Sequence, residues 1–398
     1  MTTPWPRPAA HAGTGSRPDD LRKANRAAVL RTLHLRGATS RAVLAATLDL
    51  NRSTIKAVVD DLAADGMVRE SLPADRCGAG RPSMVVEPVP LAAWVVAVDA
   101  AVDWLTVAAV GLGGVELGRR GAGPVRHDVD PGELVGRICA AVTALEQQQD
   151  SAPSSMGVAV PGLVRASDGM VRRAPNLGWS DVPLGQLLVA GTGLDVLVRN
   201  EADLGALAEH VRGCARDVED LVFLMVDVGV GGGVIAGGVS IDGAGGYAGE
   251  VGHMMVRRNG RGCRCGSRGC WETEVGESAL RRAVGLTEHA DRPQLRRVLS
   301  RLRSGEQPVP DSLADYGQWL ALGVGNLVNV LDPHTVVFGG LLSDALPLVA
   351  DAVSEHVRAA CLVARPAELL NLLPSSLGDS GPLVGAAELA FAHVLDGW

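Results

Sequence analysis

The sequence predicts an α/β body preceded by a small helical module that a β-hairpin closes. Two patterns carry the prediction: from Ala92 onward, strand-like apolar runs alternate with segments of helical period, and before Ala92 three short helical patterns lead into two strand-like runs. Charge is the third observation. Leu21 to Val85 holds 11 Lys and Arg against 6 Asp and Glu, in a 398-residue chain of net charge −8. A basic module on an acidic body is the pattern expected where only one part of a protein meets a polyanion.

A chain of 398 residues, 47% hydrophobic and 21% charged, is long enough for two or three folded domains. It has 50 glycines but only 3 Phe and 2 Tyr, so its cores must rest on Ala, Val and Leu. No apolar run approaches the roughly 20 residues of a membrane span. The opening stretch MTTPWPRPAAHAGTGSRPDD lacks an apolar signal-peptide core, so it reads as a flexible tail over residues 1–18 of a cytoplasmic protein. Cys77, Cys139, Cys214 and Cys361 are scattered and read as plain thiols of a reducing compartment.

In the first module, NRAAVLRTLHLRG (Asn25 to Gly37) places Val29, Leu30, Leu33 and Leu35 near helical spacing and ends on glycine. TSRAVLAATLDL follows, with Thr39 or Ser40 as N-cap before Val43, Leu44 and Leu48. A third helix is capped by Asn51, buries Ile55, Val58, Val59 and Leu62, and ends at Gly66. Three short helices with a tight turn before the last make a helix-turn-helix plan. Arg52, Ser53, Thr54 and Lys56 open the third helix, where side chains reach base edges and phosphates, and Arg41 and Asn51 join them as DNA-binding candidates. MVRESL and SMVVEP then read as strands flanking PADRCGAGRP, a hairpin wing with Arg76 and Arg81 near its tip. The module, residues 19–86, resembles the winged helix-turn-helix domains of bacterial regulators.

Along the body, AWVVAVDAAVDWLTVAAV reads as two adjacent strands, GELVGRICAAVTALEQQ as a helix, and SMGVAVPG and LDVLVRN as strands. EADLGALAEHVRG is helical, DLVFLMVDVGVGGGVIAGGVSI is a glycine-interrupted strand pair, and SLADYGQWLALGVGNLVNVLD is a long helix. TVVFGG closes as a strand and GPLVGAAELAFAHVL as a final helix. Such an alternation places a ligand at the carboxyl ends of strands.

The stretch GEVGHMMVRRNGRGCRCGSRGCWE gathers His253, Cys263, Cys265 and Cys270 between Glu250 and Glu272. An imidazole and three thiolates form a closed tetrahedral zinc site, around which Gly262, Gly266 and Gly269 let a short loop turn.

With these motifs the body, from Ala92 to the C-terminus, resembles the ROK family of sugar kinases and sugar-responsive repressors. The family pattern Glu-x2-His, about ten residues, Cys-x-Cys-x4-Cys-x-Glu is met at Glu250, His253, Cys263, Cys265, Cys270 and Glu272. The resemblance implies an actin-like (ribonuclease H-like) two-lobed fold, a smaller lobe at 91–198 with 381–398 and a larger lobe at 199–380 that carries the zinc loop. It implies a structural zinc, and a sugar site lined by Asn176, Asn200, Glu201, Glu250, His253 and Glu272. Carboxylates and amides suit that role, since each can bridge vicinal hydroxyls.

The sequence departs from the kinase pattern at three places. The family's catalytic aspartate is replaced by Glu201, one methylene longer, and a shift of about 1 Å can reduce a rate on the order of a hundredfold. The phosphate loop Asp-x-Gly-Gly-Thr is replaced by Asp99-Ala100-Ala101-Val102-Asp103, which puts side chains where backbone would approach phosphate. DVGVGGG (Asp227 to Gly233) keeps its glycines but has Val228 where kinases usually carry Thr. The resulting expectation is a sugar-responsive regulator, a repressor of carbohydrate genes, that binds an operator and a sugar or phosphosugar as a homodimer or homotetramer. ATP is not expected as its cofactor. The alternatives are an active sugar kinase with a fused DNA-binding module that uses Glu201 as base, and a regulator that senses a partner protein.

Overall fold

The structure is a computed structural model that describes residues 18–72, 84–361 and 370–396. Helices α1 (Pro18–Arg36), α2 (Arg41–Leu48) and α3 (Arg52–Ala64) pack against strands β1 (Thr39–Ser40), β2 (Val68–Ser71) and β3 (Val85–Pro88), which form an antiparallel sheet in the order β1-β3-β2. This is the winged helix-turn-helix. Residues 1–17 of the expected tail, and the wing tip with Arg76, Cys77 and Arg81, lie outside the described residues. Ser40 caps α2 by accepting from Val43 N, and Asn51 caps α3 by accepting from Thr54 N. Ile55, Val58, Val59 and Leu62 are buried on α3 as their spacing predicts, whereas Val43 is 48% exposed.

The body repeats one sheet design. In the first copy, β4 (Trp94–Ala100), β5 (Trp104–Gly111) and β6 (Val115–Pro124) form an antiparallel meander; after α4 (Pro131–Gln149), β7 (Met156–Val160) pairs parallel to β4. A small antiparallel sheet of β8 (Leu163–Arg165), β9 (Met170–Ala174) and β10 (Trp179–Val182) intervenes before α5 (Leu184–Thr192). Strand β11 (Val196–Asn200) then joins β7 in parallel and runs directly into α6 (Glu201–Val211). The order is β11-β7-β4-β5-β6.

The second copy starts with the antiparallel strands β12 (Leu221–Val226), β13 (Val230–Ala236) and β14 (Val239–Ser240). Helices α7 (Glu272–Val275), α8 (Glu277–Ala283), α9 (Arg292–Arg303) and α10 (Asp311–Leu331) precede β15 (Thr335–Gly340), which pairs parallel to β12. After α11 (Leu341–Ala360), β16 (Asn371–Pro374) pairs parallel to β15, and α12 (Gly381–Asp396) ends the described chain. The order β14-β13-β12-β15-β16 has the same succession of antiparallel and parallel pairings as the first sheet. This duplication makes the fold two-lobed and actin-like. The β4–β5 turn at Ala101–Asp103 and the β12–β13 turn at Asp227–Gly229 hold equivalent positions in the two copies.

One apolar core runs from the winged module into the body. Val29, Leu30 and Leu33 of α1 cluster with Leu204, Leu207 and Val211 of α6 and with Leu383, Ala390, Phe391 and Leu395 of α12. A continuous hydrophobic interface of this kind restrains the domain motion that a flexible linker would leave free.

Candidate sugar cleft and metal centre

Two clefts lie at the ends of these strands. The first, of about 170 Å³, is lined by Asn176, Asn200, Glu201, Glu250, His253 and Glu272, so every residue expected to face a sugar is in one place. Asn200 ends β11 and caps α6: its Oδ1 accepts from Ala202 N at 2.7 Å, and its Nδ2 donates to Gly162 O at 2.9 Å. Its amide is thereby fixed in orientation before any ligand arrives, with one N–H and one lone pair still available. Glu272, at the start of α7, accepts from Val230 N at 3.2 Å.

His253, Cys263, Cys265 and Cys270 bring one ligand atom each to within 4.8 Å of one another. His253 Nδ1 lies 3.7 Å from Cys263 Sγ, and Cys265 Sγ lies 3.7 Å from Cys270 Sγ. Tetrahedral zinc with bonds of about 2.0–2.3 Å separates its ligands by roughly 3.3–3.8 Å. The set therefore fits a metal ion, and three sulfurs with one imidazole suit zinc. The imidazole Nε2 lies 3.7 Å from Glu250 Oε2, so one ring could serve a metal through one nitrogen and face the cleft carboxylate through the other.

Glycine matters at Gly269 (φ +73°), where an added Cβ would lie 1.8 Å from Arg257 O. Gly262, expected to turn the loop as well, has an ordinary φ and nothing within 4 Å of an added Cβ, so the fold does not require glycine there. The loop is anchored by buried Trp271, whose Nε1 donates to Trp319 O at 2.8 Å.

Sequence reasoning missed two arginines at this cleft. Arg264, between the first two cysteines, donates to Asn176 Oδ1 at 2.9 Å, and Arg173 of β9 reaches the Arg264 and Cys265 carbonyls at 3.5 Å. Both tie the cysteine loop to the β9–β10 region across the cleft mouth. Their signal was weak because arginine in a glycine-rich loop usually means only a solvated turn.

The second cleft, of about 290 Å³, lies between the two equivalent turns and is lined by Asp99, Asp103, Glu201, Asp227, Arg292 and Asp379, among others. Arg292 Nη1 bridges Asp103 Oδ2 at 3.2 Å and Asp227, while its Nε meets Glu277 Oε1 at 3.3 Å. Arg296 holds Asp379 through two bonds of 2.6 and 2.7 Å. Asp103 therefore has a cationic partner in Arg292, which is itself shared among three carboxylates. Burial, with Asp227 and Asp99 nearby, raises the Glu201 carboxyl well above its usual range.

Burial, Asp227 and Asp379 likewise push Asp99 up to about 7, and burial raises Asp227 to about 6. With its pKa raised from 3.8, folded Asp99 holds a proton that the unfolded chain releases, so its contribution to stability falls as pH rises from about 4 to 7. Asp99→Asn is expected to flatten that part of the stability profile and to stabilise the protein at pH 8 by on the order of 2 kcal/mol. Urea titrations of both proteins from pH 5 to 8 check this; parallel profiles would sink it.

On the winged module, Arg52, Ser53 and Lys56 are exposed near the start of α3, and Thr54 is half-buried. Lys56 pairs with Asp60, one turn along. Two other DNA-binding candidates already have protein partners. The Asn51 side chain is the helix cap, and Arg41 is bound to Asp60 at 2.7 Å and to Glu70, which braces α2 against α3 and β2.

A family model described as the ROK family matches residues 95–393. The xylose repressor of Bacillus subtilis is 27% identical over 382 residues, covering 94% of this chain and 97% of that protein. A glucokinase of Streptomyces coelicolor is 30% identical over 253 residues, covering 59% of this chain and 80% of that protein. Among solved structures, a ROK family transcriptional regulator homologous to the E. coli MLC protein aligns with TM-score 0.77 at 24% identity, over 95% of this chain and 97% of that one. A ROK family glucokinase from Streptomyces griseus in complex with glucose and AMPPNP aligns with TM-score 0.65 at 28% identity, over 75% of this chain and 99% of that one.

Proposed function

This chain belongs to the ROK family, and from that premise we propose that it is a sugar-responsive DNA-binding repressor whose body binds sugar without phosphorylating it. The observation that carries the reading is a winged helix-turn-helix in the same chain as an intact amide-and-carboxylate cleft and a second cleft crowded with carboxylates. The similarity to xylose repressors supports it, because that match covers 94% of this chain, whereas the sequence match to the Streptomyces coelicolor glucokinase covers 59% of it.

In this reading Glu250, Glu272, Asn176 and Asn200 bind the sugar hydroxyls, and Glu201 keeps the place of a catalytic base without the function. Phosphoryl transfer needs backbone N–H groups and cations around the phosphates. Here the β4–β5 turn is Ala101-Val102-Asp103, and the cation Arg292 is held by Asp103, Asp227 and Glu277. A structural Zn2+ at His253, Cys263, Cys265 and Cys270 would supply fixed geometry to the loop that ends at Glu272. Two copies of the module, in a homodimer or homotetramer, would place α3 in successive major grooves of a pseudo-palindromic operator, with Arg52, Ser53, Thr54 and Lys56 toward the DNA and Arg81 as a wing contact.

The test is operator binding by purified protein with a sugar panel that starts from xylose and glucose, without ATP. One sugar is expected to change the operator Kd at least tenfold, about 1.4 kcal/mol of coupling. Glu250→Ala should keep operator affinity and lose the sugar response. A folded Glu250→Ala protein that loses both would argue against the assignment, and sugar-dependent ADP release by the wild type that Glu201→Gln abolishes would establish a kinase instead.

A further inference from the structure

Helices α6 and α12 share an arrangement that the sequence does not announce. Each begins at the clefts and ends against the DNA-binding module. Helix α6 starts at Glu201, which lines both clefts, and its C-cap is Arg212. Helix α12 follows Gly378 to Ser380, carries Pro382 and Leu383 on the second cleft, and presents Glu388, Phe391 and Asp396 farther along.

The two helices touch backbone to backbone, since a Cβ on Gly385 would lie 2.0 Å from Leu204 O. No pliable side-chain layer separates them at that point. Displacement of one is therefore passed to the other.

Their far ends meet at a buried polar cluster. Arg212 Nε donates to Glu388 Oε1 at 2.8 Å, and the other oxygen, Oε2, lies 3.1 Å from Nε2 of His34, on α1 of the winged module. The backbone N–H of Gly113, in the β5–β6 turn, donates to His34 Nδ1 at 3.0 Å, which leaves Nε2 to carry the proton toward Glu388. His34 and the Glu388 side chain are both essentially inaccessible, at 0% and 1% exposure. Burial alone would raise the Glu388 carboxyl, but His34 and Arg212 hold it below its usual range. The His34 ring also packs on Phe391, with centroids 4.2 Å apart. Around this point Arg216 donates to Leu35 O at 3.0 Å and Arg31 pairs with Asp396. A carboxylate with two specific partners buried in an apolar interface fixes one relative placement of three helices, which an apolar contact alone would leave free to slide.

We propose that the His34–Glu388–Arg212 cluster is the positioning joint through which occupancy of the sugar cleft, acting on α6 and α12, sets the placement of the DNA-binding module. The inference rests on the repressor reading above. It adds the path: a sugar that moves Asn200 and Glu201 moves the N-terminus of α6, and α6 and α12 carry the displacement to His34.

The experiment uses full-length, zinc-loaded protein and reads three quantities: xylose or glucose Kd by calorimetry, operator Kd without sugar, and operator Kd at saturating sugar. Glu388→Gln keeps the shape of the side chain but removes the charge. It is expected to leave sugar Kd and sugar-free operator Kd within threefold of wild type while reducing the sugar-induced change in operator Kd from at least tenfold to twofold or less. Should Glu388→Gln fail to fold, Arg212→Met takes its place with the same expectation. Arg212→Lys, which retains a cation beside Glu388, should recover part of the response, a rescue that mere loss of stability would not give. A folded variant with an undiminished sugar response overturns the joint and leaves the repressor reading standing. A wild-type protein that binds its operator and ignores every sugar overturns the repressor reading, and the joint with it.

Discussion

Removing the proposed zinc from His253, Cys263, Cys265 and Cys270 is expected to weaken sugar affinity at least a hundredfold, about 2.7 kcal/mol, while the winged module keeps its fold. The reason is local. Between Met255 and Cys270 the chain has almost no apolar core of its own: Cys270 and Trp271 are buried, but Arg257, Arg258, Asn259, Arg261 and Arg264 face solvent or the cleft. Such a loop is ordered by what its thiols and imidazole bind, and structural zinc sites supply apparent binding energies on the order of 10–16 kcal/mol in isolated peptides. Freed of the ion, His253 would no longer be held between Cys263 and Glu250, and Glu272, two residues beyond Cys270, would lose its placement in the cleft. Calorimetry on chelator-treated protein, with recovery on adding back zinc, checks this. Cys265→Ser should reproduce the loss, and operator binding without sugar should survive in both. Sugar Kd within threefold of the untreated protein after complete metal removal would show that the loop needs no ion to hold its geometry.

The candidate site was legible in the sequence where chemistry is concentrated in one segment. Glu250, His253, the three cysteines and Glu272 fall within 23 residues, and the structure gathers the imidazole and the thiols in one cluster and lines the first cleft with Glu250, His253, Cys265 and Glu272. Asn176 and Asn200 come from distant segments and were readable only through resemblance. What stayed hidden was carried by single residues with common structural uses. Arg292 is a helix-start arginine until the fold sets it between Asp103 and Asp227, and His34 reads as one more residue of an amphipathic helix until α12 covers it. Although amphipathic, α9 and α11 went unread, while the apolar strands and helices α4, α6, α10 and α12 were readable. Strand β6, VELGRRGAGP, was not, because an edge strand with three glycines and two arginines carries no period-two signal. The small sheet β8–β10 was hidden for a related reason, its strands being only three to five residues long. Helix α11 contains Pro347, which reads as a breaker although the helix accommodates it within its first two turns.

Gly385→Val is expected to be strongly destabilising, with a loss above about 4 kcal/mol. Its Cβ would lie 2.0 Å from Leu204 O and 2.8 Å from Leu204 Cβ, and the first of these is backbone in the first turn of α6. No rotamer change can make room, so α12 has to move away from α6. That movement is opposed on its other side as well, because Gly157 of β7 brings the first sheet so close to α12 that an added Cβ there would lie 1.9 Å from Ala386 O. A helix wedged between two glycines has one depth, and overpacking at either contact forces the backbone itself to shift. Gly381→Ala is the control: its Cβ would meet only Gly205 Cα, at 3.9 Å, an ordinary contact. Urea denaturation of the two variants should separate them by several kcal/mol, with the valine protein poorly soluble on expression; a valine variant within about 1 kcal/mol of wild type would mean that the helices are not in rigid contact. The same result would bear on function, since two helices that can part at Gly385 could not transmit a displacement from Glu201 to His34. The glycines that let α6 and α12 approach so closely thus serve stability and, in the proposed repressor, communication between sugar and DNA.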